Sequence, residues 1–309
     1  MRLIVLGVLA LSLAACGNPP QRAATGASAT PSASGQAGGK SVPSPVSTFR
    51  FTAGYEAPGN RDLLSAEKLM KDHDLIQQWT DSANTSFVPP VNVPITGMQC
   101  DTVNAFYNPD DKSITMCYEM AGYLKQLFAQ PEQGEQAPGT DAVDARVVGA
   151  LNGIFFHELG HGLIDLYDLP TTGKEEDAVD QLSALVLIGA AEESKDYTGI
   201  ISMMDAWGRM AQAEDGSLGK DVFADEHSLS GQRFYNVMCY LYGSNHNAFL
   251  PLVSEGDLPV ARAQRCEHEY AKMADSWSRL LQPYLRTDLP SPSPTQLSRP
   301  PAAPSPSGN

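Results

Sequence analysis

The stretch FFHELGHGLIDLYDLP, residues 155–170, decides how the centre of the chain folds. Its apolar residues and those before it from Val147 predict a buried helix, which ends before Pro170 because proline disfavours helical backbone at the preceding residue. Two histidines and a glutamate lie within this apolar run. Burying such side chains without partners costs several kcal/mol, so this helix needs a partner for them, and a metal ion would be one.

The polar residues of this helix have the spacing HExxH, as His157-Glu158-Leu159-Gly160-His161. Residues four apart differ by about 40° around a helix, so both imidazoles can reach one ion. Zn²⁺ accepts imidazole nitrogens, and Glu158 lies where it can act as general base towards a water molecule that the metal activates. The pentapeptide alone can arise by chance, but its apolar setting predicts a zinc site.

A third ligand is expected in KEEDAVD, residues 174–180. Glu176 and Asp180 are four apart and share a helix face, so Glu176 is our third zinc ligand. Asp180 would then accept a hydrogen bond from a ligand histidine, most readily His157, and fix its tautomer. Glu175 is the competing ligand, although its i+4 residue, Val179, cannot orient a histidine. Alternatively, the acidic cluster only complements the positive end of a helix.

Peptide hydrolysis also needs a hydrogen-bond donor for the oxyanion. His227 is the best candidate for this second catalytic role, with Asp225 or Glu226 holding its ring, and Tyr235 is the next. Arg233 would either anchor a substrate carboxylate or pair with the acidic cluster, and the sequence leaves both readings open.

The rest of the domain predicts an α+β fold with more helix than strand. A strand is expected over 47–55, and residues 103–118 look like a hairpin whose turn is Asn-Pro-Asp-Asp at 108–111. Apolar periodicity predicts one or two helices over 61–80 and further helices after residue 117, around 140–169, from 175, and over 196–209, 228–243 and about 258–283.

The two ends of the chain differ from the centre in composition. Residues 1–15 have the layout of a signal peptide, and the preceding Leu-Ala-Ala makes Cys16 resemble a lipidation site, unless the cysteine is there by chance. Gly17 after it favours the bacterial outer membrane, facing the periplasm. Residues 16–46 would be a flexible tether and 287–309 a disordered Pro/Ser-rich tail, which leaves one domain over 47–286.

Charge and cysteine spacing narrow the partners and the compartment. The net charge is −15 without a basic cluster, which disfavours nucleic acid. No cysteine pair has the CxxC spacing of a cysteine zinc site, and an exported chain meets oxidising conditions. Among three possible pairings we favour the local disulfides, Cys100–Cys117 and Cys239–Cys266, with buried free thiols as the alternative.

Three blocks of the sequence resemble an uncharacterised bacterial family of predicted metallopeptidases related to zincins. They are NAFYNPDDKSITMCYE (104–119), the HELGH segment with KEEDAVDQLSAL (174–185), and DEHSLSGQRFYNVMCYLYGSN (225–245), and the likeness spans about residues 50–270. The resemblance implies a zincin-like fold and a zinc site with a downstream glutamate ligand. It also implies that a strand before the active helix binds the substrate backbone, and Ser113–Met116 could be that edge strand.

These observations favour a zinc-dependent endopeptidase of the bacterial envelope. Its substrate would be a peptide or protein, and it would contact the membrane only through the lipid on Cys16. A hydrolase that acts on peptidoglycan crosslinks or another amide is a third possibility. The alternative is a non-catalytic binding or scaffold lipoprotein that holds zinc for stability.

Overall fold

A computed structural model describes residues 48–131, 136–214 and 223–286, so the predicted signal peptide, lipidated Cys16, the whole tether and the tail lie outside the described residues. The fold is α+β, mostly helical with one small sheet, as predicted. In chain order its main elements are β1 (Phe51–Tyr55), α1 (Leu64–Asp72), α2 (Leu75–Ser86), β2 (Val93–Met98), β3 (Ala105–Asn108), β4 (Ser113–Cys117), α3 (Tyr118–Ala129), α4 (Thr140–Tyr167), α5 (Glu175–Ser194), α6 (Thr198–Glu214), α7 (Ser230–Ser244), α8 (Pro251–Ser254) and α9 (Val260–Leu281).

The sheet has the strand order β1-β2-β4-β3. The first three strands of this order are parallel, and β3 pairs antiparallel with β4 through the predicted hairpin. Its turn is held by Asn108, whose side-chain oxygen accepts the Asp110 amide at 3.0 Å. The expectation that Ser113–Met116 forms the edge is wrong, because β4 pairs on both sides and the edge strands of the described sheet are β3 and β1. The nearly continuous burial of β4 reflects its central position.

Helix α4 lies in the centre of the molecule and is buried on most of its faces, as its apolar sequence predicts. Its N-cap is Gly139, so the helix begins at Thr140, as expected from the sequence. The helix packs on α2 through Trp79, whose ring stacks on Phe155 with centroids 4.8 Å apart. The indole N–H of Trp79 donates to the Asn152 side chain at 2.7 Å, which satisfies a polar group inside the core.

Helices α4 and α5 form an antiparallel hairpin that brings the two predicted halves of the site together. The chain leaves α4 at Asp168, which has a left-handed backbone with φ of 50°. The helices approach closely where Gly160 faces Val179, because a Cβ on Gly160 would lie only 2.8 Å from a Val179 methyl group. Further along, the Ser183 hydroxyl donates to the Gly153 carbonyl at 2.6 Å.

Two disulfides are present, and both are the local pairings that were predicted. Cys100–Cys117 ties the segment after β2 to the end of β4. Cys239–Cys266 ties α7 to α9, where the absence of a side chain at Gly243 lets the two helices approach. Within the described ranges, the helices are too short or too polar to cross a membrane.

Candidate metal centre

The structure brings His157 and His161, on α4, together with Glu176, in the first turn of α5. The Nε2 atom of His157 lies 3.0 Å from Glu176 Oε2, and that of His161 lies 3.3 Å from Glu176 Oε1. Each residue offers one ligand atom, and all three atoms lie within 4.8 Å of one another. The predicted ligand set therefore converges on one point.

One carboxylate oxygen tests whether this set fits a metal ion. Glu176 Oε2 is buried and has no hydrogen bond of proper geometry within the described part of the chain, although two imidazole nitrogens lie beside it. At about 2.0–2.1 Å from zinc, the corners of a tetrahedron lie about 3.3 Å apart. The two distances between histidine nitrogens and Glu176 oxygens, 3.0 and 3.3 Å, are close to this value. A buried orphan oxygen among such donors is what a metal site requires.

The outward-facing nitrogens of both histidines have carboxylate partners. His157 Nδ1 lies 2.8 Å from Asp180 Oδ1, and His161 Nδ1 lies 2.8 Å from Glu175 Oε1. These contacts place the proton on Nδ1 and leave Nε2 free to bind an ion. The sequence suggested Glu175 only as a competing ligand and did not predict that it would orient His161. That each ligand histidine needs a partner would have suggested it.

Arg233 pairs with the acidic helix, which decides between the two readings that the sequence left open. Its Nε and Nη2 atoms donate to the two oxygens of Asp180 at 2.6 and 2.5 Å. Its guanidinium also lies over the Trp207 ring, 3.6 Å from the centroid. Burial raises the pKa of Asp180, but the charge of Arg233 and the hydrogen bond from His157 outweigh it and hold that pKa below its usual value.

Glu158 is buried beside the ligands and lines a cavity of about 370 Å³. Its Oε2 accepts the backbone N–H of Tyr107, in edge strand β3, at 2.9 Å. Burial raises the pKa of Glu158 from its ordinary value. Tyr107 itself is fixed to α4, because its hydroxyl donates to Asp165 at 2.5 Å and its ring packs against Gly162.

His227 lies on the same cavity wall, in the loop before α7. Its Nε2 is 3.1 Å from Glu176 Oε2, and its Nδ1 is 3.0 Å from Asp225. Lys174 donates to the His227 carbonyl at 3.3 Å and so ties this loop to the start of α5. Tyr235 is 44% exposed and is not among the described residues that line the cavity, so His227 is the better placed of the two predicted oxyanion donors. Its role stays a prediction.

The surrounding carboxylates make this centre attractive to a cation. Burial lowers the pKa of His161, but hydrogen bonds to Glu176 and Glu175 outweigh it and raise that pKa to about 9. The pKa of His157 is raised in the same way, against burial, by Asp180 and Glu176. The nearby Glu176 carboxylate also raises the pKa of His227. The carboxylates thus stabilise positive charge at the point where the three ligands meet.

Comparison with known proteins identifies one family. The model of the family DUF4344, described as "Putative metallopeptidase", matches residues 55–281, which is well over half of the chain. No curated protein and no solved structure matches the chain.

Proposed function

Since the chain belongs to this family of metallopeptidases, we propose that it is a zinc-dependent endopeptidase. The observation that carries the proposal is the convergence of His157, His161 and Glu176 next to a buried Glu158 at a cavity. Two imidazoles and a carboxylate are a common ligand set of catalytic zinc, which keeps one position open. A structural site is usually closed by four protein ligands, and the cavity beside Glu158 favours the enzyme over the scaffold.

The residues at the cavity have different roles in the proposed hydrolysis. When bound, the ion would lower the pKa of a water molecule and polarise the substrate carbonyl. Glu158 accepts the proton of the attacking water and returns it to the leaving amine, and its burial raises its pKa towards the range of an effective general base. The Tyr107 amide holds one oxygen of this carboxylate in place. His227 donates a hydrogen bond to the oxyanion.

Strand β3 is the proposed docking edge for the substrate backbone. The backbone N–H and C=O groups of successive residues point to opposite edges of a strand, so residues two apart face the same edge. Ala105 therefore presents its backbone to the same edge of β3 as Tyr107. The amide of Tyr107 points at Glu158, and Ala105 lines the cavity. A peptide added at this edge would therefore pass in front of the general base.

Metal content and peptide cleavage test the function together. The purified chain loaded with zinc should contain about one zinc ion and cleave members of a peptide library. The variant Glu158→Gln should keep the zinc and lose about 10²–10⁴-fold in cleavage rate, because it lacks the general base. Equal cleavage by this variant, or no metal after zinc loading, would refute the proposal. X-ray absorption then separates enzyme from scaffold, since the enzyme should show a solvent ligand in the fourth position.

The envelope location rests on the N-terminal sequence. We propose that Cys16 carries the lipid that anchors the chain to the outer membrane, on the periplasmic side. In a bacterial host, wild-type protein should sediment with membranes and incorporate labelled fatty acid, and Cys16→Ser should do neither. Unchanged labelling of the variant would rule out this anchor.

A further inference from the structure

The cavity extends past Glu158 along an apolar wall. One face of α6 contributes Met203, Trp207 and Met210, which follow one another at i, i+4 and i+7. Met120 from α3 and Ile154 from α4 complete this wall. None of these five residues has a role in metal binding or proton transfer, so the catalytic machinery does not explain the wall.

The floor of the cavity depends on a glycine, because Met203 occupies the space that a side chain at position 153 would need. Gly153 lies one helical turn before His157, and a Cβ there would collide with the side chain of Met203. Met203 is buried, and its sulfur lies 3.4 Å from the Ser183 hydroxyl, so it is held in this position. Thioether sulfur is polarizable and makes favourable contacts with apolar and aromatic groups, so Met203 suits a floor on which an apolar side chain rests.

The charges around the wall disfavour an acidic occupant. Arg233 is the only arginine or lysine among the described lining residues, and Asp180 already pairs with it. Glu214 and Asp225 line the same cavity as carboxylates. Glu214 follows Met210 by four residues on the same face of α6. It accepts hydrogen bonds from the Ser230 amide and hydroxyl at the start of α7, so an acidic occupant would meet its carboxylate at this end of the wall.

We propose that this cavity binds the large apolar side chain, of the phenylalanine, leucine or methionine type, of the residue next to the scissile bond. The inference rests on the proposed function, since it takes Glu158 and His227 to mark the scissile bond. A volume of about 370 Å³ is at the small end of the range for ligand pockets, about 300–1,000 Å³, and suits one such residue with its backbone.

Binding to an inactive chain tests the pocket without requiring turnover. The zinc-loaded Glu158→Gln variant is titrated by calorimetry with end-blocked pentapeptides of alanine whose central residue is phenylalanine, alanine, aspartate or lysine. Burial of the ring should make the phenylalanine peptide bind about tenfold or more tightly than the alanine peptide. The aspartate peptide should bind most weakly.

Two methionines of α6 provide a matched pair of variants. Met210→Ala, added to Glu158→Gln, should weaken the phenylalanine peptide several-fold and leave the alanine peptide unchanged. Met204 is also partly buried on α6 but packs on the cluster around Met238 and Leu258, so Met204→Ala should change neither affinity.

The proposal of an apolar pocket would be overturned by any of four results. These are equal affinity for all peptides, a preference for aspartate or lysine, no binding, or equal losses of affinity in both methionine variants. Preferential binding of the phenylalanine peptide without cleavage by the wild-type chain would instead refute the proposed function and leave the apolar pocket standing.

Discussion

Replacing Asp180 with asparagine should separate the stability of the site from its affinity for metal. Asp180 accepts a hydrogen bond from His157 at 2.8 Å and two from Arg233. In Asp180→Asn the buried Arg233 loses its counter-charge, and breaking such a pair costs about 3–5 kcal/mol of unfolding free energy. We expect the lower end, about 3 kcal/mol, because the guanidinium keeps the face of Trp207. Loss of the partner that orients His157 should weaken zinc binding about 10–100-fold.

The assay is a double-mutant cycle with Arg233→Met. Denaturant unfolding of the chain after a chelator has removed its metal measures the free energy of unfolding. Competition with a chelator measures the affinity for zinc. In Asp180→Asn/Arg233→Met the buried charge is gone, so the double variant should lose less stability than the sum of the single losses. Zinc affinity should follow residue 180 alone, because Asp180 can still hold His157 in Arg233→Met. If Asp180→Asn keeps zinc affinity within about twofold of the wild type, Asp180 does not orient the ligand.

The ion pair of Asp180 and Arg233 also predicts how the difference in unfolding free energy between wild type and Asp180→Asn depends on pH. The pKa of Asp180 is lowered in the folded chain, because the charge of Arg233 and the hydrogen bond from His157 outweigh burial. A lowered pKa contributes stability that is present above the unfolded value, about 3.9, and is lost as pH falls through the lower folded value. On the acid side, the gap between wild type and Asp180→Asn should therefore narrow below about pH 3.9. Because Asp180 also raises the pKa of His157, the gap should narrow again as pH rises above about 6.5 through the folded value of that histidine. A gap that narrows between about pH 4.5 and 6 would mean that another group titrates.

Three further predictions concern the supports of the site. Glu175→Gln should weaken zinc binding by no more than about tenfold in chelator competition, since its side chain is 43% exposed; a larger loss would make it a ligand. Gly160→Ala should cost about 1–3 kcal/mol of unfolding free energy through its 2.8 Å contact with α5. The control Gly122→Ala, with nothing within 4 Å of its Cβ, should gain about 0.5–1 kcal/mol, and equal effects would refute the close packing. Cys239→Ser/Cys266→Ser opens a 27-residue loop and should cost about 3.5 kcal/mol; unchanged unfolding would show that the bond is dispensable.

The sequence predicts well what depends on local spacing. Helix α4 follows from its apolar residues, and HExxH with Glu176 follows from positions four apart on two neighbouring helices. Strand order depends on pairings between distant segments, so the hairpin was predicted but its edge was assigned to β4 instead of β3. The run Ile114-Thr115-Met116-Cys117, which contains no charged residue, was the available sequence signal for a central strand.

The position of His227 depends on contacts that no periodicity reveals. It reaches Glu176 because Lys174 and Asp177, at the start of α5, hold its loop from about fifty residues away. Arg233 likewise reaches Asp180 across 53 residues of sequence. These long-range polar contacts are satisfied only once α7 has packed, so the sequence could offer candidates for them but could not choose between them.

The helix hairpin explains why both halves of the metal centre come from neighbouring segments. Gly160 precedes His161, and Val179 precedes Asp180, so the closest approach of α4 and α5 lies at the level of the histidine–carboxylate contacts. A side chain at position 160 would push the two helices apart. The hydrogen bond between His157 and Asp180, now 2.8 Å long, would then lengthen and weaken. The strictest steric demand in this pair of helices therefore falls where the ligand histidine must be oriented. The glycine within HELGH is thus as much a part of the metal centre as the two histidines that it separates.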